Sequence, residues 1–396
     1  MLKANLKLYR EGKVEFLAPD LAEFTRGRHV EPAWAPVFYN PRMRMCRDIS
    51  VAIVRAFKRL GQRENLLLVE PLSATGIRGL RYAAEVDGCQ VIINDISKKA
   101  YQLMIKNVDI TGLRERVKAF NDEANLLLRK LSKNLKRPDV VDIDPFGSPA
   151  PFIDSALSAL NHGGLLLVTA TDLPPLYGIY PSACLRKYSA LSLKAEFFKE
   201  IGVRILLGFI AREAAKLGKG VVPLFSLATD HYIRLAVRVY RSKSRATKSV
   251  KKLGFVAYCP RCLWRSMLRG LIPSCPKTCP RCGRSLMLGG PLWIGELWQE
   301  EFAKATYSEY ISMGWVTERG KGILAKIIEE IGKAPLYFKT DVLASKMGLK
   351  EEISASFIVE KLSAYDPFAS LTHFDTKGFR SSLHPMEILK IVKCAS

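Results

Sequence analysis

The chain has 396 residues, 48% of them hydrophobic, and a formal net charge of +23 from 61 Lys and Arg against 38 Asp and Glu. That length predicts two or three domains with an ample core, and no run of about 18 apolar residues offers a transmembrane helix. Met1–Arg10 is too charged for a secretory signal, so a cytoplasmic protein is expected.

A hairpin is predicted over Leu6–Leu17, turning at Glu11-Gly12, because Leu6, Leu8, Val14 and Phe16 alternate. Two prolines then bracket aromatic residues in Pro36-Val37-Phe38-Tyr39-Asn40-Pro41, a loop entering a helix over Arg44–Leu60 with Ile49, Ile53 and Phe57 at four-residue spacing. Leu66–Val69 reads as a buried strand. It is followed by the small-residue turn Leu72-Ser73-Ala74-Thr75-Gly76 and a helix. A second strand, Val91–Ile93, ends at Asn94-Asp95, and Ser97 is placed to cap the next helix. Val117–Phe120, Val140–Ile143 and Leu165–Thr169 are the third, fourth and fifth strands. Strict alternation of strand and helix predicts a parallel, doubly wound α/β sheet. A long helix over 194–217 precedes Val221–Leu227 and His231–Tyr240. These two strands are joined by too short a turn to cross over, so an antiparallel pair at the sheet edge is expected. Arg241–Lys252 reads as a flexible linker, and Trp293 onward as a separate α/β domain with helical patterning at 322–332 and 350–361. The expected domains are 1–245, 246–290 and 291–396.

The chemistry gathers at strand ends. The turn after the first strand, from Glu70 to Gly76, lets backbone amides approach a ligand, and Asp95 stands about 20 residues on, where an acidic side chain accepts ribose hydroxyls. Either a dinucleotide or S-adenosylmethionine fits this pair. The few glycines disfavour a pyrophosphate cradle, and Asp122 after the third strand adds an acceptor for an adenine amino group, favouring S-adenosylmethionine. The fourth strand stops at Asp144-Pro145-Phe146-Gly147, since Pro145 cannot donate to a ladder. It leaves a carboxylate and a ring at the carboxyl end of a strand, where open α/β sheets bind ligands. Methyl transfer to an exocyclic amine needs an acceptor for the amine hydrogens and an aromatic face for the base, and Asp144 and Phe146 supply both.

Charge and cysteine point to nucleic acid and metal. From His231 to Gly295 there are fourteen Arg and Lys and no Asp or Glu. A merely solvated surface mixes signs, so one-signed charge over that length indicates a polyanion, nucleic acid above all. Four of the nine cysteines form Cys259-x2-Cys262 and Cys279-x2-Cys282, a spacing that indicates a closed, structural zinc site. Cys275 lacks a CxxC partner and is the weaker ligand. Cys46, Cys89 and Cys184 read as small core or site-lining residues, and no catalytic role is assigned to His162, His231, His373 or His384.

Several segments together resemble the tRNA guanine-26 N2-dimethyltransferase family in its zinc-cluster-containing archaeal or thermophilic form. They are Pro36–Met43, Leu72–Gly79, Asn94–Ser97, Asp142–Pro149, Thr169–Asp172, Gly290–Gly295 and Thr372–Phe374. The resemblance implies a class I, Rossmann-like methyltransferase sheet with a zinc-binding insert and a C-terminal tRNA-binding α/β domain. It implies S-adenosylmethionine as donor, guanine N2 at tRNA position 26 as acceptor, and a monomeric enzyme with no membrane partner. By position, Arg47, Arg78 and Asp95 resemble donor-binding residues, and Asp122 or Glu123 the adenine-side residue. Asp144 resembles the catalytic acid, with Phe38 and Phe146 stacking on the guanine. Two other readings compete: a zinc-ribbon nucleic-acid binder without catalysis, and an adenine N6 or cytosine N4 methyltransferase. The second is disfavoured by the single Pro145 before Phe146.

Overall fold

The structure, a computed structural model, describes residues 5–26, 29–133, 137–348 and 352–394. The N-terminal hairpin pairs β1 (Leu6–Glu11) with β2 (Val14–Pro19), with Glu11 opposite Val14 across a two-residue turn. Gly12 takes the left-handed conformation there, with φ at 55°. The helix α1 (Arg44–Leu60) has the predicted bounds and ends with Lys58 and Arg59 in its last turn, where cations complement the helix dipole. Alternation then runs β3 (Leu66–Glu70), α2 (Ile77–Glu85), β4 (Cys89–Asn94), α3 (Lys98–Ile110), β5 (Val117–Phe120), α4 (Ala124–Ser132), β6 (Val140–Ile143), α5 (Ile153–Ala159) and β7 (Gly164–Ala170). Ser97 caps α3 as expected, accepting the Ala100 amide at 3.4 Å.

These strands form one seven-stranded sheet with β8 (Lys219–Ala228) and β9 (Ile233–Arg241), in the order β8-β9-β7-β6-β3-β4-β5. The pairs β3–β4, β3–β6, β4–β5 and β6–β7 are parallel. The turn between β8 and β9 closes with the Thr229 amide on the Tyr232 carbonyl at 2.9 Å, too tight for a crossover, so β8 is the antiparallel edge strand. Strand order reverses between β3 and β6. The crevice at their carboxyl ends is the topological switch point, and both Glu70 and Asp144 lie there. Strands β6 and β7 are buried along their whole length, which explains their unbroken apolar sequences.

Two expectations are corrected. The long helix starts later than predicted, α6 running Phe198–Lys216. The segment expected to be a flexible linker is an ordered helix, α7 (Lys243–Val250), capped by Ser242. Ala246 and Ser249 are buried beneath it, and Ser249 bonds both the amide and the carbonyl of Val221. Its cations are the solvent face of a packed helix.

The chain divides into two compact units that interleave along the sequence: 1–169, 236–240 and 304–321 in one, and 170–235, 241–303 and 322–396 in the other. The second unit holds a small antiparallel sheet in the order β11-β10-β12, made of β10 (Leu253–Tyr258), β11 (Arg265–Arg269) and β12 (Met287–Trp293). It also holds a second three-stranded sheet, from 338–339, 370–371 and 378–380, with helices at Thr340–Met347, Ala355–Leu362 and Pro385–Cys394. The helix expected over 350–361 therefore occupies Ala355–Leu362, with residues 350 and 351 outside the described residues. No helix among the described residues is long and apolar enough to cross a membrane.

Candidate active site

Arg78, in the first turn of α2, is the hub of the crevice and is 2% exposed. Its guanidinium meets Asp144 at 2.5 Å, donates to the Ser50 hydroxyl at 2.7 Å, and lies 3.8 Å from the Cys46 sulfur. Its Nε is 3.7 Å from Glu70 and 3.9 Å from Asp142. Burial alone would lower the Arg78 pKa, but Asp144, Cys46 and Asp142 outweigh it and hold the cation firmly charged. Asp142 is fully buried and accepts the Tyr82 hydroxyl at 2.6 Å. Two residues further on, past the end of β6, Asp144 is partly exposed and oriented by Arg78. The paired aspartates thus divide into a structural one facing the core and one facing the crevice.

The rings come from two distant loops. Val37 and Tyr39 are buried, and in extended chain successive side chains alternate, so Phe38 between them faces outward and is 37% exposed. Val37 belongs to a cluster with Ala100 and Leu103, against which Ala74 of the small-residue turn also packs. Tyr39 is gripped by the hairpin: its hydroxyl donates to Glu11 at 2.9 Å and its ring lies 4.9 Å from Tyr9. Phe146 is 80% exposed, a large cost for a ring with only a packing role. The rings of Phe38 and Phe146 meet edge to face with centroids 5.8 Å apart at 70°.

On the donor side, Ala74 and Gly76 adopt positive φ values of 47° and 80° in the turn after β3. Asp95 accepts the Ala74 amide at 2.9 Å and the Ser97 amide at 2.8 Å, one on each oxygen. A carboxylate has about four lone-pair sites, so acceptor capacity remains on Asp95. Asp122 pairs with Lys130 at 2.5 Å, and that bond lowers its pKa. Glu123 spends its carboxylate capping α4, on the amides of Asn125 and Leu126 at 2.9 and 2.8 Å. Arg47 is buried in a two-point pair with Glu11 at 2.7 and 2.5 Å and bonds the Asn40 carbonyl at 3.1 Å. The structure therefore joins Arg78, Asp144, Phe38 and Phe146, and sets Arg47 in a neighbouring network that holds the Phe38 loop. Sequence reasoning missed Glu11, Tyr39 and Ser50. Glu11 had read only as a turn residue, and no local pattern marks it.

The four cysteines of the CxxC pairs come together, all sulfurs lying within 4.8 Å of one another. The Cys259–Cys282 and Cys262–Cys279 sulfurs are each 3.5 Å apart, near the edge of about 3.8 Å that a tetrahedral site with Zn–S of about 2.3 Å requires. Burial pushes the Cys259 thiol up, but the amides of Cys262 and Arg261 outweigh it and bring it to about 7. Those amides point at the Cys259 sulfur and favour its thiolate. Cys275 is exposed and stands outside the cluster.

The sheet order, with acidic side chains at the carboxyl ends of β3, β4 and β6, defines a class I methyltransferase. Residues 12–393 match the family described as N2,N2-dimethylguanosine tRNA methyltransferase, and the chain belongs to that family. It is 39% identical over 391 residues to the tRNA (guanine(26)-N(2))-dimethyltransferase of Saccharolobus solfataricus, covering 98% of this chain and 99% of that one. It is 39% identical over 372 residues to the enzyme of the same name from Methanosarcina acetivorans, covering 92% and 93%. Among solved structures it resembles Trm1 from Pyrococcus horikoshii in complex with S-adenosyl-L-methionine. There the TM-score is 0.83 and the identity 31%, over 98% of this chain and 99% of that one. Membership removes both competing readings, since neither a non-catalytic zinc ribbon nor an adenine or cytosine methyltransferase belongs to this family.

Proposed function

We propose that the chain transfers methyl groups from S-adenosylmethionine to N2 of guanine 26 in tRNA, twice in succession, with Asp144 as the residue that holds the amine. The observation carrying this assignment is the meeting of Asp144 with Phe38 and Phe146 at the switch point, Arg78 holding the carboxylate. The donor supplies an electrophilic methyl on a sulfonium. Asp95 faces its ribose, Asp122 its adenine, and Arg78 lines its side of the crevice, with Arg47 holding the Phe38 loop beside it. The guanine, extruded from the tRNA, enters between Phe38 and Phe146. Two ring contacts of about 3.5 Å each need rings roughly 7 Å apart and parallel, so the edge-to-face pair at 5.8 Å opens to admit it. The exposed Phe146 is the ring free to turn.

Asp144 accepts a hydrogen bond from N2–H and thereby fixes the direction of a lone pair otherwise delocalised into the purine. As the N–C bond forms and the S–C bond breaks, its electrons stay on sulfur and the surplus N2 proton leaves through Asp144. One hydrogen remains on N2 after the first transfer, so Asp144 holds the amine again for the second. The four thiolates hold structural zinc, which pins a basic module. Of the fourteen cations between 231 and 295, only Arg234, Arg238 and Arg265 are not exposed, and the rest, with the C-terminal segment 291–396, contact the tRNA. The enzyme acts as a cytoplasmic monomer. Asp144→Asn should bind S-adenosylmethionine as the wild type does while methyl transfer to unmodified tRNA falls by orders of magnitude. Near-normal turnover of the variant would refute the assignment.

A further inference from the structure

Asp144, Phe38, Phe146 and Arg78 all lie within 1–169. The second unit carries a cavity of its own, about 530 Å3, where β11 and the second cysteine knuckle meet the segments 332–338 and 381–387. Small-molecule sites occupy about 300–1,000 Å3. The wall is aromatic and cationic, with Trp264, Phe338, Arg265, Arg281, Lys333 and His384. Arg265 is fully engaged: it bonds the carbonyls of Leu336 and Tyr337 at 3.0 and 2.8 Å, pairs with Glu196, and lies 3.8 Å over the Phe338 ring. Lys333 donates to the Pro367 carbonyl at 2.8 Å.

Of the basic side chains in the wall, two keep a free N–H among the described residues. Arg281 is exposed at the rim and has no hydrogen bond or ion pair among the described residues. His384 accepts the Met386 amide on Nδ1 at 3.3 Å, which puts its proton on Nε2, and Nε2 is buried without a partner. Burial and the charges of Arg281 and Arg265 lower the imidazole pKa, so the ring stays neutral and the Nε2–H remains a donor. The carboxylate in the wall, Glu387, is taken by the His384 backbone amide at 2.8 Å.

A cationic rim, a buried N–H and an aromatic wall match a phosphate and a base. Elsewhere on the same four-cysteine module Arg261, Arg269, Lys277 and Arg284 are exposed with no acid in that stretch of chain, which favours a nucleotide within a polyanion over a free one. Proteins recognise folded RNA through unpaired nucleotides stacked on aromatic side chains. We propose that this cavity receives one unpaired nucleotide of the bound tRNA, its phosphate on Arg281 and the Nε2–H of His384 and its base against the aromatic wall. It is a second anchoring point, distinct from the guanine site, and it rests on the reading of tRNA as substrate.

The test uses the full chain with tRNA. Arg281→Ala should weaken tRNA binding about tenfold and lower the slope of log affinity against log salt by about one. Ser266→Phe, which puts a ring into the cavity, should weaken binding comparably. Zinc content, melting temperature and S-adenosylmethionine affinity should hold in both. Irradiating the wild-type chain with tRNA carrying 4-thiouridine should yield a cross-linked peptide from 263–267 or 381–387, and this arm needs no variant to fold. If the wild type binds tRNA while both variants bind equally well, or cross-links fall only elsewhere, the proposal fails. So does binding of adenosine monophosphate at this cavity with no effect on tRNA. A wild type that fails to bind tRNA would instead overturn the underlying reading.

Discussion

Three carboxyl groups, Glu70, Asp142 and Asp144, face the single guanidinium of Arg78. Ionising all three would leave the crevice with an uncompensated negative charge in a buried setting. Glu70 is the group that gives way. Burial pushes its carboxyl up to about 8, Asp142 and Asp144 add to the rise, and the pull of Arg78 does not overcome them. The unfolded chain releases this proton near the ordinary 4.5, whereas the folded chain keeps it until about 8. Between those values the folded state binds one more proton, so stability falls as pH rises. At about 1.4 kcal/mol per pH unit, the interval from 4.5 to about 8 amounts to something of order 5 kcal/mol. Glu70→Gln keeps the size of the side chain and the acceptor for the Gly79 amide, now met at 2.9 Å, but cannot titrate. Urea unfolding of both proteins from pH 5 to pH 9 isolates the effect, because every other group cancels in the difference. The wild type should lose stability against the variant across that range, and the difference should level off above pH 8. Parallel stability curves would refute the assignment of the proton to Glu70.

Phe146→Ala should leave the melting temperature nearly unchanged, because the ring is 80% exposed. It should lower tRNA turnover by roughly 5- to 150-fold, the worth of a base–aromatic stack of about 1–3 kcal/mol, measured under subsaturating tRNA. Glu330 shows the opposite pH behaviour to Glu70. Burial would raise it, but Arg380 and His373 hold it at about 2, so its contribution is full above 4.5 and drains away as pH falls toward 2. A loss of about 2 kcal/mol should appear in unfolding curves at pH 3 against pH 5 and be absent in Glu330→Gln. Purified protein should carry one zinc per chain by elemental analysis. Stripping the metal, or Cys262→Ser, should expose 253–293 to proteolysis while S-adenosylmethionine binding persists.

What the sequence shows of this fold is whatever repeats locally. The buried strands β3, β6 and β7 are apolar runs closed by Glu70, Pro145 and Thr169–Asp172, and periodicity finds them within a residue. Ser97 is visible as a cap because capping is a contact over three residues. The four-cysteine cluster is legible because each CxxC brings two thiols within four residues. The Lys243–Val250 helix was hidden for a related reason. Its sequence, KSRATKSV, carries no apolar stripe, and its packing depends on Ala246 and on one hydroxyl, Ser249, reaching a strand 28 residues away. Propensity has little to say about such a helix, which tertiary contact determines.

The same distinction accounts for the Phe38 loop. Phe38 was recognisable as an aromatic between prolines, but its aim is set by Glu11, a residue of the hairpin turn 27 positions earlier. Glu11 is 2% exposed and joins the Tyr39 hydroxyl, the Arg47 guanidinium and, at 3.7 Å, Arg81. Arg81 in turn pairs with Asp48 at 2.6 Å and Glu85 at 2.8 Å. Burial would raise the Glu11 carboxyl, yet Arg47, Tyr39 and Arg81 together bring it below its ordinary range. A network of charges like this adds little net stability over an apolar core. Its value lies in direction, since a carboxylate with two-point bonds to a guanidinium tolerates only one geometry. An apolar core would let the loop slide; the buried charges fix Tyr39, and through it the side of the chain on which Phe38 emerges. The hairpin is therefore part of the machinery that places the Phe38 ring against Phe146.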